Sequence, residues 1–204
     1  AGRAWQITSV DSARGVVQVT STVAADAPMW TGQPKAYSRK LCEQILDLLL
    51  EGRSHMGCSA LATGAIDTIR DSVAHLGLTT TARPVVLAAG KTVWHTYAGA
   101  RINAVLARLI AQEPGAKVTA SNLSVKMASG SSRALEAVRT VQAQLATGHE
   151  PPEETWAEFD PARRSAMLSV FQGCLPADAE QAFLRDALLD LEGARQWAAA
   201  IKVP

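Results

Sequence analysis

Thr92-Val93-Trp94-His95-Thr96-Tyr97-Ala98-Gly99-Ala100-Arg101-Ile102-Asn103 changes its periodicity at Gly99. Before the glycine, Val93, His95 and Tyr97 share one face of an alternating run and Thr92, Trp94 and Thr96 the other, the pattern of a β-strand. After it, Ile102, Val105, Leu106, Leu109 and Ile110 fall on one helical stripe that runs up to Pro114-Gly115. Upstream, Pro84 opens the apolar run Val85 to Ala89, and Gly90-Lys91 turns it back into Thr92. Hairpin, then helix, predicts a sheet with antiparallel pairing and helices packed on it, an α+β fold.

Working outward, Trp5 and Ile7 alternate with Gln6 and Thr8, Val17 and Val19 flank Gln18, and Asp11 to Gly15 supply turn residues. This reads as a first hairpin. Pro28, Gly32 and Pro34 keep the stretch from Ala24 to Tyr37 irregular, with Met29 and Trp30 to anchor it as a packed loop. Ser38 is the expected N-cap of a helix carrying Leu41, Ile45, Leu48 and Leu49 to Gly52, and a second helix carries Leu61, Ala65, Ile69, Val73 and Leu76 to Gly77. Short strands follow at Lys117 to Ala120 and Leu123 to Met127. Ser129 to Ser132 then cap a helix with Leu135, Val138, Val141 and Leu145.

Glu150-Pro151-Pro152-Glu153-Glu154 reads as a linker, and beyond it a helix start is expected at Pro161 and another at Pro176 to Asp178. Phe183, Ala187, Leu191, Ala194, Ala198 and Ile201 then mark one long stripe. The expected architecture is an antiparallel, partly barrel-like sheet with packed helices in residues 1–149, closed by a C-terminal helical lobe in residues 150–204.

The chain has 204 residues, with 20 Lys plus Arg against 19 Asp plus Glu, so no global field advertises a polyanionic partner and any nucleic-acid contact must be local. With 48% hydrophobic and 19% charged residues it can bury a core without a disulfide or metal staple. Cys42, Cys58 and Cys174 are widely spaced, as reduced thiols are. No membrane span or leader pattern is read, so a cytoplasmic, monomeric piece is expected. Ala1-Gly2-Arg3 leads almost at once into a strand, which suggests a fragment of a longer polypeptide.

Catalytic chemistry finds little footing. Gly90-Lys91-Thr92 lacks the first cradle glycine of a phosphate loop, and it leads into a strand. His55, His75, His95 and His149 are isolated, Asp67 and Asp71 sit on the polar side of a helix, and Cys58 reads as a small first-turn residue or a dipole-stabilised thiolate. No catalytic residue, no metal site and no cofactor is expected in this stretch. Binding chemistry is better represented, because the chain has five tryptophans and an indole face stacks unpaired bases. Trp94, on the otherwise polar face of its strand, is either half-exposed for stacking or buried under a helix. Arg101 and Asn103 start a helix, where they either donate to a phosphate or form a capping network, and Lys126, Arg133 and Arg139 could extend a basic strip.

Three groups of residues lie in order along the chain: Gly2 to Asp11 with Pro28-Met29-Trp30-Thr31-Gly32; Thr92 to Asn103; and Phe171-Gln172-Gly173-Cys174-Leu175-Pro176 with Asp190-Leu191-Glu192-Gly193-Ala194. Together they resemble the region that follows the motor and winged-helix domains in large helicase-related (Lhr) DEAD/DEAH-box helicases. The resemblance implies a parent that uses ATP and Mg to move along single-stranded DNA and unwind duplexes or RNA–DNA hybrids, its ATPase residues lying upstream. This portion would be a non-catalytic β-barrel-like module that braces the strand channel and guides the strand. The competing expectation is a protein-interaction or architectural domain, which an exposed apolar patch without neighbouring cations would favour.

Overall fold

The structure is a computed structural model that describes residues 4–11, 14–22, 36–51, 57–88, 90–128, 132–149, 151–156 and 172–204. The expected loop around Met29 and Trp30, His55, the Ser129–Ser131 cap residues and the Pro161 helix start lie outside them. The chain divides into two compact units, Ala1–Lys35 and Ala36–Pro204.

The first unit contains the expected hairpin, β1 (Ala4–Asp11) paired antiparallel with β2 (Val16–Thr22). Asp11 Oδ1 accepts from the Arg14 N–H at 3.1 Å, and Gly15 takes φ +64° to close the turn. The register shifts between Ile7 and Ser9. Ile7 opposes Val19 and Val10 opposes Val17, so the extra residue brings Val10 onto the face of Ile7, Val17 and Val19 although it stands three positions after Ile7. Gln6, Ser9, Asp11, Gln18 and Thr20 share the opposite face with one apolar residue, the exposed Val16. The hairpin is thus amphipathic, and Ile7, Val10, Val17 and Val19 are all exposed.

The second unit starts with α1 (Arg39–Leu50) and α2 (Ala60–Ala74), capped by Ser38 and Ser59, whose Oγ atoms accept from the Leu41 and Ala62 N–H groups at 3.3 and 3.2 Å. Strands β3 (Val85–Ala88), β4 (Lys91–His95), β5 (Val118–Ala120) and β6 (Ser124–Met127) form an antiparallel sheet in the order β3-β4-β6-β5. The α+β class is the one expected. The sheet is open, with β3 and β5 at its edges, rather than closed into a barrel.

Helices α3 (Ala100–Ile110), α4 (Ser132–Ala146) and α6 (Leu191–Ala200) cover one face of this sheet, and α5 (Ala177–Leu188) precedes α6. Trp94, Val125 and Met127 of the sheet meet Ile102, Val105 and Leu106 of α3, Val138 and Val141 of α4, and Ala194, Trp197 and Ala198 of α6 in one core. The Trp94 and Trp197 rings lie 5.4 Å apart with a 59° tilt, a favourable aromatic geometry. Gln142 Nε2 donates to the Ala198 carbonyl at 2.7 Å, tying α4 to α6. Trp156 and the helices of residues 177–200 therefore share the core of the α+β part, in one compact unit with it.

The single C-terminal stripe is broken in the structure. Leu189 is extended at φ −119° and buried, and Asp190 starts a new helix by accepting from the Gly193 N–H at 2.8 Å. The aspartate's preference for the N-cap overrides the continuous apolar periodicity on its two sides.

Candidate nucleic-acid interface

The segment from Thr96 to Asn103 crosses two other parts of the chain. The Thr96 and Tyr97 N–H groups both donate to the Leu123 carbonyl at 3.0 Å, and the Gly99 N–H donates to the Asn122 carbonyl at 3.0 Å. Asn122 Oδ1 in turn accepts from the Tyr37 N–H at 2.9 Å, and the Ala100 N–H donates to the Tyr37 carbonyl at 3.1 Å. Such a crossing demands unusual backbone: Tyr97 has φ +50° and Gly99 φ +90°. A Cβ at Gly99 would lie 2.8 Å from the Tyr37 carbonyl oxygen and 2.9 Å from the Arg39 nitrogen, so only glycine fits. Strand exit, helix start, the approach to α1 and the β5–β6 turn are locked together here.

Asn103 is the polar centre of that crossing. It is fully buried; its Oδ1 accepts from Thr96 Oγ1 at 2.7 Å, and its Nδ2 donates to the Ser121 and Asn122 carbonyls at 2.7 and 3.1 Å. It fills the role of an internal staple, not of a phosphate donor. Trp94 is likewise buried completely, with no ring face open to a base. Its strand face is the core face because α3, α4 and α6 cover it, and Thr92 and Thr96 beside it are buried too. Of the two readings of Trp94, burial under a helix is the one the structure shows.

Arg101 remains exposed, yet its Nη2 donates to the Asp186 and Leu189 carbonyls at 2.5 and 2.7 Å. It completes the C-terminus of α5, where a cation complements the helix dipole. Lys126, opposite Val93 on β6, and Arg133, in the first turn of α4, are exposed and make no ion pair among the described residues. Arg133 stands on the rim of an open cleft of about 420 Å³ floored by Ile110, Met127, Ala134 and Ala137, with Glu113 also in its lining. Of the five expected contacts, Lys126 and Arg133 keep free charged heads.

Gly90-Lys91-Thr92 forms the β3–β4 turn and the start of β4, as the missing cradle glycine implied. Asp67 pairs with Arg70 at 2.5 Å, and Arg70 also donates to the Leu48 and Leu49 carbonyls at the end of α1. Among the described residues, no three His, Cys, Asp or Glu side chains gather as metal ligands. Cys58 is exposed just before the Ser59 cap, while burial pushes the Cys42 thiol up to about 11, with Glu43 adding to the effect. Burial, then Lys126 and His75, hold the His95 imidazole below its ordinary value.

A further structural residue had no sign in the sequence. Arg83 is buried, donating from Nε to the Thr96 carbonyl at 2.9 Å and from its Nη atoms to the Thr79, Ala82 and Thr80 carbonyls at 2.6, 3.1 and 3.2 Å. An Arg before a Pro reads as loop surface; only the fold brings those carbonyls around it. Burial lowers its pKa, with Glu43 and Asp47 opposing.

The fold and this region define an α+β protein in which Gly99, Arg101 and Asn103 serve as internal ties. Set beside known proteins, the chain matches no protein family, no curated protein and no solved structure. No helix among the described residues is long and apolar enough to cross a membrane.

Proposed function

We propose that the chain is a non-catalytic architectural module of a larger ATP-dependent helicase of the kind it resembles, bracing the motor by docking on it. The observation that carries this reading is the apolar face of β1 and β2, where Ile7, Val10, Val17 and Val19 are open on a two-stranded hairpin. Two strands alone bury too little to be stable in water, and an amphipathic hairpin gains most by laying that face on another surface. ATP and Mg belong to the parent's motor in this reading. The committed internal bonds of Asn103 and the burial of Trp94 also support a bracing role over a gripping one.

A second reading, guidance of single-stranded DNA or an RNA–DNA hybrid, is favoured by the free charges of Lys126 and Arg133. One comparison separates the two. The full chain is passed over the immobilised motor and winged-helix part of an Lhr-type helicase, and separately titrated into a labelled single strand. Docking that Val17→Lys and Val19→Lys weaken at least about tenfold, without strand binding, is the expected result. Strand binding that Lys126→Ala and Arg133→Ala abolish, with no docking, would replace the first reading by the second.

A further inference from the structure

Among the described residues, α2 is the only α-helix that buries no side chain. Its apolar residues point both ways: Val73 packs against the cluster of Leu46, Leu49 and Tyr97, while Leu61 is 85% and Ile69 52% exposed. The sequence of α2 lends it little strength of its own. Gly64 and the β-branched Thr63, Ile66, Thr68, Ile69 and Val73 fall within its fifteen residues, and a helix of that length is marginal in water without packing.

One side chain clasps it to the fold. Arg70 Nε and Nη2 donate to the Leu49 and Leu48 carbonyls, each at 3.1 Å, and these belong to the last turn of α1, whose carbonyls a helix cannot satisfy within itself. A cation also suits that end of the helix dipole. Asp67 pairs with Arg70 on the same helix and so adds no tie to α1. The hydroxyls of Thr63, Thr68 and Ser72 donate to the Ser59, Gly64 and Ile69 carbonyls, within the helix and its cap. No other hydrogen bond leaves α2 for another element among the described residues.

Both ends of the helix turn on glycine. Gly57, at φ +91°, precedes the Ser59 cap, and Gly77, at φ +70°, follows Leu76. Past Gly77 the chain is fixed again, because the Thr79 N–H donates to the Ala82 carbonyl at 3.4 Å and Arg83 is buried.

We propose that α2 is a hinged strap, which opens from α1 as a unit about the turns at Gly57 and Gly77 while the four-stranded sheet, α3, α4 and α6 stay folded. Opening breaks the Arg70 clasp, frees the Leu48 and Leu49 carbonyls and uncovers the cluster of Leu46, Leu49 and Tyr97. This inference is independent of the helicase reading, since it uses neither β1 and β2 nor Lys126 and Arg133.

Hydrogen exchange of the full chain, read amide by amide, tests it. The amides from Ile66 to Val73 should share one opening constant, at least about a hundredfold larger than that of Val105 and Leu106 in α3 and with a smaller denaturant dependence. Arg70→Ala should raise the α2 value at least about tenfold further and leave α3 alone. Where Arg70→Ala loosens α1 as well by uncapping it, Val73→Ala keeps the clasp and removes the packing, and the same selective rise is expected. Protection of α2 equal to that of α3, exchange graded from the first turn inward, or folded variants that leave α2 unchanged would overturn the proposal.

Discussion

Asn103 holds three chain segments with one carboxamide, so its removal leaves the Thr96 hydroxyl and the Ser121 and Asn122 carbonyls without their partner in the interior. Asn103→Ala should therefore lower unfolding free energy by about 2–4 kcal/mol in denaturant titrations. Gly99→Ala, which must fit a Cβ against backbone at φ +90°, should cost about 3 kcal/mol or more. A loss below about 0.5 kcal/mol for either would contradict the staple. The thiols give a second check, because Cys58 and Cys174 are exposed and Cys42 is buried with its pKa raised to about 11. Under native conditions iodoacetamide should label the first two, and Cys42 only after unfolding. His95 gives a third. Its folded pKa is below the ordinary 6.5, so the unfolded chain binds more protons at and below that value. The contribution is full above about pH 6.5 and is lost as pH falls, and His95→Gln should flatten the decline in denaturant midpoint between about pH 7.5 and 5. Equal slopes for the two proteins would contradict it.

At the scale of elements, turn and cap chemistry made most of the chain legible. Ser38 caps its helix as a side-chain acceptor, Gly90-Lys91 turns a hairpin, and Gly99 separates strand from helix, whereas the Ser59 cap of α2 went unread. The patterns left the outcome open, or hid it, where burial is decided by what lies opposite. Trp94 shares a face with two threonines, and alternation alone could not tell that three helices cover that face. The stripe through Phe183 and Ile201 hid the Asp190 cap for a similar reason, since apolar spacing persists across a break when both helices pack on one core. Asp190→Ala should cost about 1 kcal/mol and fray the start of α6, measured by amide exchange at Glu192 and Gly193. Unchanged protection there would show that packing, not the cap, fixes the break. Arg83 was illegible because its four carbonyl partners come from residues 79–82 and 96, brought together only by folding.

For the whole molecule, near-equal numbers of positive and negative residues suit the bracing role we propose better than a gripping one. The three stretches that carry the resemblance place their described residues at the β1–β2 hairpin, the crossing at Gly99 and Asn103, and the starts of α5 and α6, all of them positions that build the fold. The candidate interface is correspondingly reduced to Lys126 and Arg133, whose exposure depends on neighbours that the sequence does not display. The most direct measurement is fluorescence anisotropy of a labelled single strand of about 20 nucleotides titrated with the full chain at about 50 mM salt, where phosphate contacts are strongest. The account predicts no saturable rise in the micromolar range, while docking on the helicase motor is retained. A saturable, salt-sensitive rise with docking absent would contradict it.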